Sequence, residues 1–299
     1  MKVIITGANG FVGRNLAERL STAHQVLAAS RQTLNLLDEA AVKQYVSLHQ
    51  PDAIIHTATT GGYGKSATNV LEQELRMFFN IERSIDNNIM LINCGSGAEY
   101  DRRYWQRKMS EDYFDQHVPV DEYGYGKYLI AKAIDNSKKK IVNLRIFGLF
   151  GKYESCYYKF ISNAILKNLL GCPLVIQRNT RFDYLFIDDF CAVVAKILAK
   201  APVHKQYNVT PDDSVELVDI TKKIIKLTGQ KNDVTIVNND FSREYSGNNS
   251  RVKKEYSIKF SNFDDGLIAL IEYYKSIIKT IDVDKIREDD YLEKMKKIS

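Results

Sequence analysis

Short apolar runs alternate, in the first half of the chain, with longer segments whose apolar positions recur every three or four residues. The runs Lys2–Thr6, Gln25–Ala29, Asp52–Thr57, Met90–Cys94 and Ile141–Ile146 read as strands, because they are short, mostly apolar and bounded by turn residues or charge. Between them a helix opens at Asn15–Leu20, and helices are expected over Asp38–His49, Val70–Asn87 and Tyr123–Lys138. Strands alternating with helices in this way predict βαβ units, and so an α/β fold with a doubly wound parallel sheet. After Gly148 the rhythm loosens: a helix at Tyr157–Leu170, a short strand at Pro173–Gln177, another strand starting at Leu185–Ile187, and a helix at Phe190–Lys200. The expected division is a larger domain of residues 1–148 and 182–201 and a smaller C-terminal α/β domain of residues 149–181 and 202–281. Residues 282–299, dense in both charges, form an exposed helix or a frayed tail in this reading.

Composition narrows the class without naming it. With 299 residues, 44% of them hydrophobic and 26% charged, the chain can bury a sizeable core without disulfides or metal. No apolar stretch is long enough to span a membrane, and Met1-Lys2 leads directly into the first strand instead of a secretory leader. Cys94, Cys156, Cys172 and Cys191 lie far apart with no interleaved histidine, so reduced thiols in a cytoplasmic protein are expected, and no metal. The net charge of +5 is mild, and no basic stripe carries interleaved aromatics, which argues against nucleic acid as a partner.

Chemistry enters at Thr6-Gly7-Ala8-Asn9-Gly10-Phe11-Val12-Gly13, between the first strand and the first helix. Glycines at such a turn let backbone N–H groups approach a pyrophosphate at the helix N-terminus. This TGxxGxxG turn resembles that of the extended short-chain dehydrogenase/reductases, the NAD-dependent epimerase/dehydratase type, over most of the chain up to about Ile278. The resemblance implies a Rossmann-type sheet, a nucleotide-diphosphate sugar as substrate, and a nicotinamide cofactor contacted by Gly7, Asn9, Gly10, Phe11, Val12 and Gly13. After the second strand stand Ser30 and Arg31, with no acid before Asp38. A hydroxyl and a guanidinium suit a ribose 2′-phosphate, so NADP(H) is expected, with NAD(H) the alternative. Asn35 and Leu36 match the family's adenine-contacting segment. His56-Thr57-Ala58 resembles its HxAA stretch, placing Ala58 at the cofactor and His56 in a buried wall rather than in catalysis.

Reduction of a carbonyl needs a proton for the developing alkoxide, and a tyrosine beside a lysine ammonium can supply it. Tyr and Lys at i and i+4 share a helix face, but three pairs have this spacing: Tyr104/Lys108, Tyr123/Lys127 and Tyr128/Lys132. Tyr123-Gly124-Tyr125-Gly126-Lys127 opens a helix and resembles the family's YGxSK form, so Tyr123 is expected as acid and Lys127 as ribose ligand and electrostatic partner. Ser96, after the fourth strand, falls where the family places the hydroxyl that binds the substrate oxygen.

Departures from the pattern shape the functional expectation. Gly97 and Ala98 stand where the family's dehydratases carry Asp-Glu. Leu34–Asp38 and Thr60-Gly61-Gly62 resemble GDP-fucose synthase-like enzymes, but Ala98 and Lys159 stand where those enzymes place a Cys and a His. Arg145–Gly151 resembles LRxxNVYG with Gly148 in place of Asn. Arg181–Asp189 resembles RDFIYVDD with one residue between Arg and Asp. Lys159, Arg178 and Arg181 are candidates for the nucleotide diphosphate. The expectation is NADPH-dependent reduction of a nucleotide-linked 4-keto-6-deoxy sugar in polysaccharide or deoxysugar biosynthesis. A 4-epimerase with tightly bound NAD and a non-catalytic NADP-binding sensor are the alternatives, and a homodimer is compatible with either.

Overall fold

The computed structural model describes residues 1–60 and 68–288. The first stretch runs β1 (Lys2–Thr6), α1 (Phe11–Leu20), β2 (Gln25–Ala29), α2 (Glu39–His49), β3 (Ala53–His56), α3 (Val70–Ser84), β4 (Met90–Ser96), α4 (Glu122–Asn136) and β5 (Ile141–Ile146). Then follow β6 (Gly148–Phe150), α5 (Phe160–Leu169), β7 (Leu174–Arg178), β8 (Arg181–Phe182), β9 (Tyr184–Phe186) and α6 (Ile187–Ala199). The chain continues through β10 (Gln206–Val209), β11 (Val215–Glu216), α7 (Leu217–Thr228), β12 (Val234–Asn238), α8 (Ser250–Tyr256), α9 (Phe263–Ile277) and α10 (Val283–Arg287).

Six strands form one parallel sheet in the order β10-β5-β4-β3-β1-β2, the α/β architecture expected from the alternating pattern. Alternation of side chains along β1 divides the core: Val3 and Ile5 pack with Leu16, Phe190 and Val194 on one face, and Ile4 packs with Val46, Phe78 and Ile130 on the other. Successive strands run outward in both directions from β1 and β3, so the sheet reverses its order there. A crevice beyond the carboxyl ends of these strands is where such sheets bind ligands. The third apolar cluster joins Phe150, Ile161, Ile165, Ile176, Ile220 and Ile271, between short two-stranded pairings and the later helices.

Three boundaries depart from the expectation. The first helix starts at Phe11, directly on the glycine turn, because Gly10 is its N-cap. β10, read from sequence as part of the second unit, pairs with β5 and extends the large sheet. The charged C-terminal stretch begins with α10, which is anchored by the buried Ile286 in the third cluster while its charged residues lie exposed; residues 289–299 lie outside the described residues. No described helix is long and apolar enough to cross a membrane.

Candidate active site

The glycine turn forms because the chain must reverse tightly between β1 and α1. Gly7 has φ +70°, and a Cβ there would meet the Ala58 backbone N at 2.7 Å. A Cβ on Gly13 would meet the Gly7 carbonyl at 2.4 Å. Bare backbone is therefore required at both positions, and it leaves the N-terminus of α1 open, with Asn9 exposed and Phe11 and Val12 half-buried beside it. A cleft of about 410 Å³ continues from Thr6 and Gly7 past Ser30, Arg31, Asn35 and Leu36. Arg31 is exposed there and has no ion-pair partner among the described residues. Asn35 accepts from the Leu37 N–H at 3.1 Å, and the Leu36 carbonyl accepts from Asn80 at 2.9 Å, which fixes the segment lining the cleft. This cradle and its adjoining cleft fit a dinucleotide: bare N–H groups for the pyrophosphate, and a pocketed end for a nucleoside.

His56 is buried and shares a 2.8 Å hydrogen bond with Thr6 Oγ1. Burial, and then the nearby Lys127 charge, push its pKa far below the usual histidine value, so it is a neutral wall residue.

Ser96, Tyr123 and Lys127 meet at the carboxyl end of β4. Ser96 ends that strand, buried, and caps the following turn: its Oγ accepts from the Ala98 N–H at 3.1 Å, while its own N–H donates to Glu99 Oε1 at 2.9 Å. Tyr123 lies in the first turn of α4, capped by Asp121, with its phenol beside Ser96. One turn on, Lys127 is buried, with its ammonium 5.8 Å from the Tyr123 ring centre and donating to the Cys94 carbonyl at 3.3 Å. The other two Tyr/Lys pairs do not build a site. Tyr128 and Lys132 both donate to Asp115, at 2.5 and 2.7 Å, while Tyr104 stacks on His117 and Lys108 reaches Asp183.

Several residues at this site were not expected. Glu74 of α3 faces Lys127 at 3.0 Å, with both side chains buried. Its position follows the apolar stripe Val70, Glu74, Met77, Phe78, Ile81, so a carboxylate in a buried stripe was the available signal. Burial works to raise the Glu74 pKa, but the Lys127 charge and hydrogen bonds from Thr59 and Thr60 outweigh it and hold the group ionised. Burial likewise works to lower Lys127, and Glu74 reverses it, leaving the ammonium more strongly protonated than an ordinary lysine. Tyr123 itself is raised, by burial first, with Lys127 opposing and Glu74 adding to it. On the other flank, Glu99 pairs with the fully buried Arg145 and accepts from Asn143 at 3.0 Å. Tyr245 lies beside Ser96 and packs against Trp105 with ring centres 4.0 Å apart, forming an aromatic wall with Phe147. No sequence spacing links these rings, since they come from three separate segments.

The diphosphate candidates are less uniform. Arg181 is committed to Glu216 at 2.7 Å. Lys159 is exposed at the start of α5, and Arg178 is half-buried with its Nε enclosed and unpartnered among the described residues. Gly61 and Gly62 lie outside the described residues. Among the described residues there is no group of three or more His, Cys, Asp or Glu able to hold a metal.

Residues 3–210, well over half of the chain, match the family described as NAD dependent epimerase/dehydratase. Over 107 residues the chain is 36% identical to the GDP-L-colitose synthase of Yersinia pseudotuberculosis, covering 33% of this chain and 35% of that protein, so it spans about a third of that relative's length. In three dimensions it superposes on the UDP-glucose 4-epimerase of Thermotoga maritima with a TM-score of 0.81 and 17% identity, covering 93% of this chain and all of that one. A GDP-mannoheptose C4 reductase from Campylobacter jejuni with NADP bound gives 0.77 at 19% identity, covering 92% and 98%. At these identities the two structures establish the fold.

Proposed function

The chain belongs to the NAD dependent epimerase/dehydratase family, and from that premise we propose that it reduces the 4-keto group of a nucleotide-linked 6-deoxy sugar with NADPH. The observation that carries this reading is the Ser96–Tyr123–Lys127 constellation followed by Gly97 and Ala98, neither of them ionisable, where elimination or proton exchange would need an acid and a base. The cofactor, when bound, supplies hydride to the carbonyl carbon. Tyr123 donates its phenolic proton to the carbonyl oxygen as the C–O π pair moves onto it, and Ser96 fixes that oxygen by a hydrogen bond. Lys127 stabilises the phenolate left on Tyr123 until solvent returns a proton. The choice of NADPH is supported by Arg31 and Ser30 at the rim of the nucleoside cleft, with Arg31 free to meet a 2′-phosphate. The sugar nucleotide class is supported by the colitose synthase relative.

The test is NADPH oxidation in the presence of a panel of 4-keto sugar nucleotides, followed at the nicotinamide absorbance. Tyr123→Phe is expected to cost about 10²–10⁴-fold in turnover while NADPH binding persists. Undiminished turnover in that variant, or purified protein carrying NAD and interconverting sugar nucleotides without added reductant, would overturn the reading in favour of a 4-epimerase.

A further inference from the structure

The Tyr123–Lys127 pair does not stand alone. Glu74 adds a buried carboxylate to it: the Lys127 ammonium lies 3.0 Å from that carboxylate and 5.8 Å from the Tyr123 ring centre. Glu74 is anchored independently of Lys127, accepting from Thr59 Oγ1 at 2.7 Å and from the Thr60 N–H at 2.6 Å, so the chain leaving β3 and helix α3 hold it in place. An ammonium beside a phenol favours the phenolate, and a carboxylate paired with that ammonium cancels much of the effect, since both interactions act in a low-dielectric interior.

We propose that Glu74 is a positioning residue that keeps Tyr123 in its acid form, setting the site for proton donation to a carbonyl over proton abstraction from an alcohol. The inference rests on the reductase reading for its consequence, but not for its physics. In the reductive direction a phenol must be protonated when the substrate arrives. In the oxidative direction it must already be a phenolate, which an uncompensated ammonium would supply. Among the described residues, the other groups facing these three side chains do not change the sign. His56 on β3 is buried and neutral, and Cys94 on β4 is pushed up to about 12 by burial, with Lys127 opposing. Glu99 beyond Ser96 also opposes a phenolate, and Tyr245 is raised well above its ordinary value, by burial first, and stays neutral.

The experiment titrates Tyr123 directly, without sugar or cofactor, as the ultraviolet phenolate difference between each protein and its Tyr123→Phe counterpart. Glu74→Gln is expected to lower the Tyr123 midpoint by about one pH unit or more, and Glu74→Asp to return it toward the wild-type value. A role limited to holding Thr59 and Thr60 would lower thermal stability while leaving that midpoint in place. A midpoint that stays put or rises in Glu74→Gln therefore overturns the proposal. If the variants do not fold, the wild-type titration decides: a Tyr123 midpoint well below the ordinary tyrosine value of about 10 overturns it as well. Failure of every keto sugar to be reduced would count against the reductase reading and leave this titration intact.

Discussion

The two buried ion pairs flanking Ser96 and Tyr123 differ in their cation and in their surroundings. Lys127–Glu74 joins two helices, while Arg145–Glu99 joins a strand of the sheet to the turn that carries Ser96. Arg145 stays charged at any accessible pH, and its Glu99 partner is further satisfied by the Ser96 N–H and by Asn143. That pair fixes geometry: it holds the backbone that aims Ser96. The lysine pair lies against Tyr123, the proposed proton donor, so in that proposal the same kind of contact sets a protonation state.

Breaking one partner of the geometric pair should have the largest effect. Glu99→Ala leaves Arg145 fully buried without its carboxylate, and a loss of about 3–5 kcal/mol in unfolding free energy is expected. Denaturant unfolding measures it. A loss below about 1 kcal/mol would mean that water or a neighbour satisfies Arg145, and the contrast between the two pairs would fail.

Another buried carboxylate, Glu154, sharpens the contrast because no cation among the described residues pairs with it in contact. Ser162 donates to it at 2.5 Å, and burial pushes its pKa up to about 7, with Lys159 and Ser162 opposing. An acid raised from 4.5 in this way binds its proton more tightly folded than unfolded. Its contribution to stability is complete below about pH 4.5 and is lost as pH rises through about 7, to a total of up to about 3 kcal/mol. Glu154→Gln removes that slope. The variant should match the wild type near pH 5 and exceed it near pH 8, and a pH-independent difference would show that Glu154 titrates normally.

How much of this was legible in the sequence divides along similar lines. The strands Lys2–Thr6, Gln25–Ala29 and Ile141–Ile146 match the structure end to end, because each is a short, mostly apolar run whose ends are set by turn residues or charge. The glycine turn and the Tyr123/Lys127 spacing were also readable, since each is local and its geometry is fixed by a few consecutive residues. The supporting groups were not. Glu74 is separated from Lys127, and Glu99 from Arg145, by stretches of chain whose folding alone brings them together. Arg181 shows the converse: a basic residue beside a family-like motif looked like a phosphate ligand, but Glu216, from a different strand, neutralises it.

The smallest effect should come from removing both charges of the geometric pair while keeping its hydrogen-bond acceptor. In Glu99→Gln with Arg145→Met, the Gln carbonyl oxygen can still accept from the Ser96 N–H that Glu99 now caps at 2.9 Å. The methionine fills much of the arginine's volume without burying a cation, and such charge-removing replacements are commonly neutral or stabilising. Unfolding free energy is expected within about 1 kcal/mol of the wild type, well above that of Glu99→Ala. If the double variant is instead as unstable as the single one, the charge pair itself, and not the capped backbone, is what holds Ser96 in place.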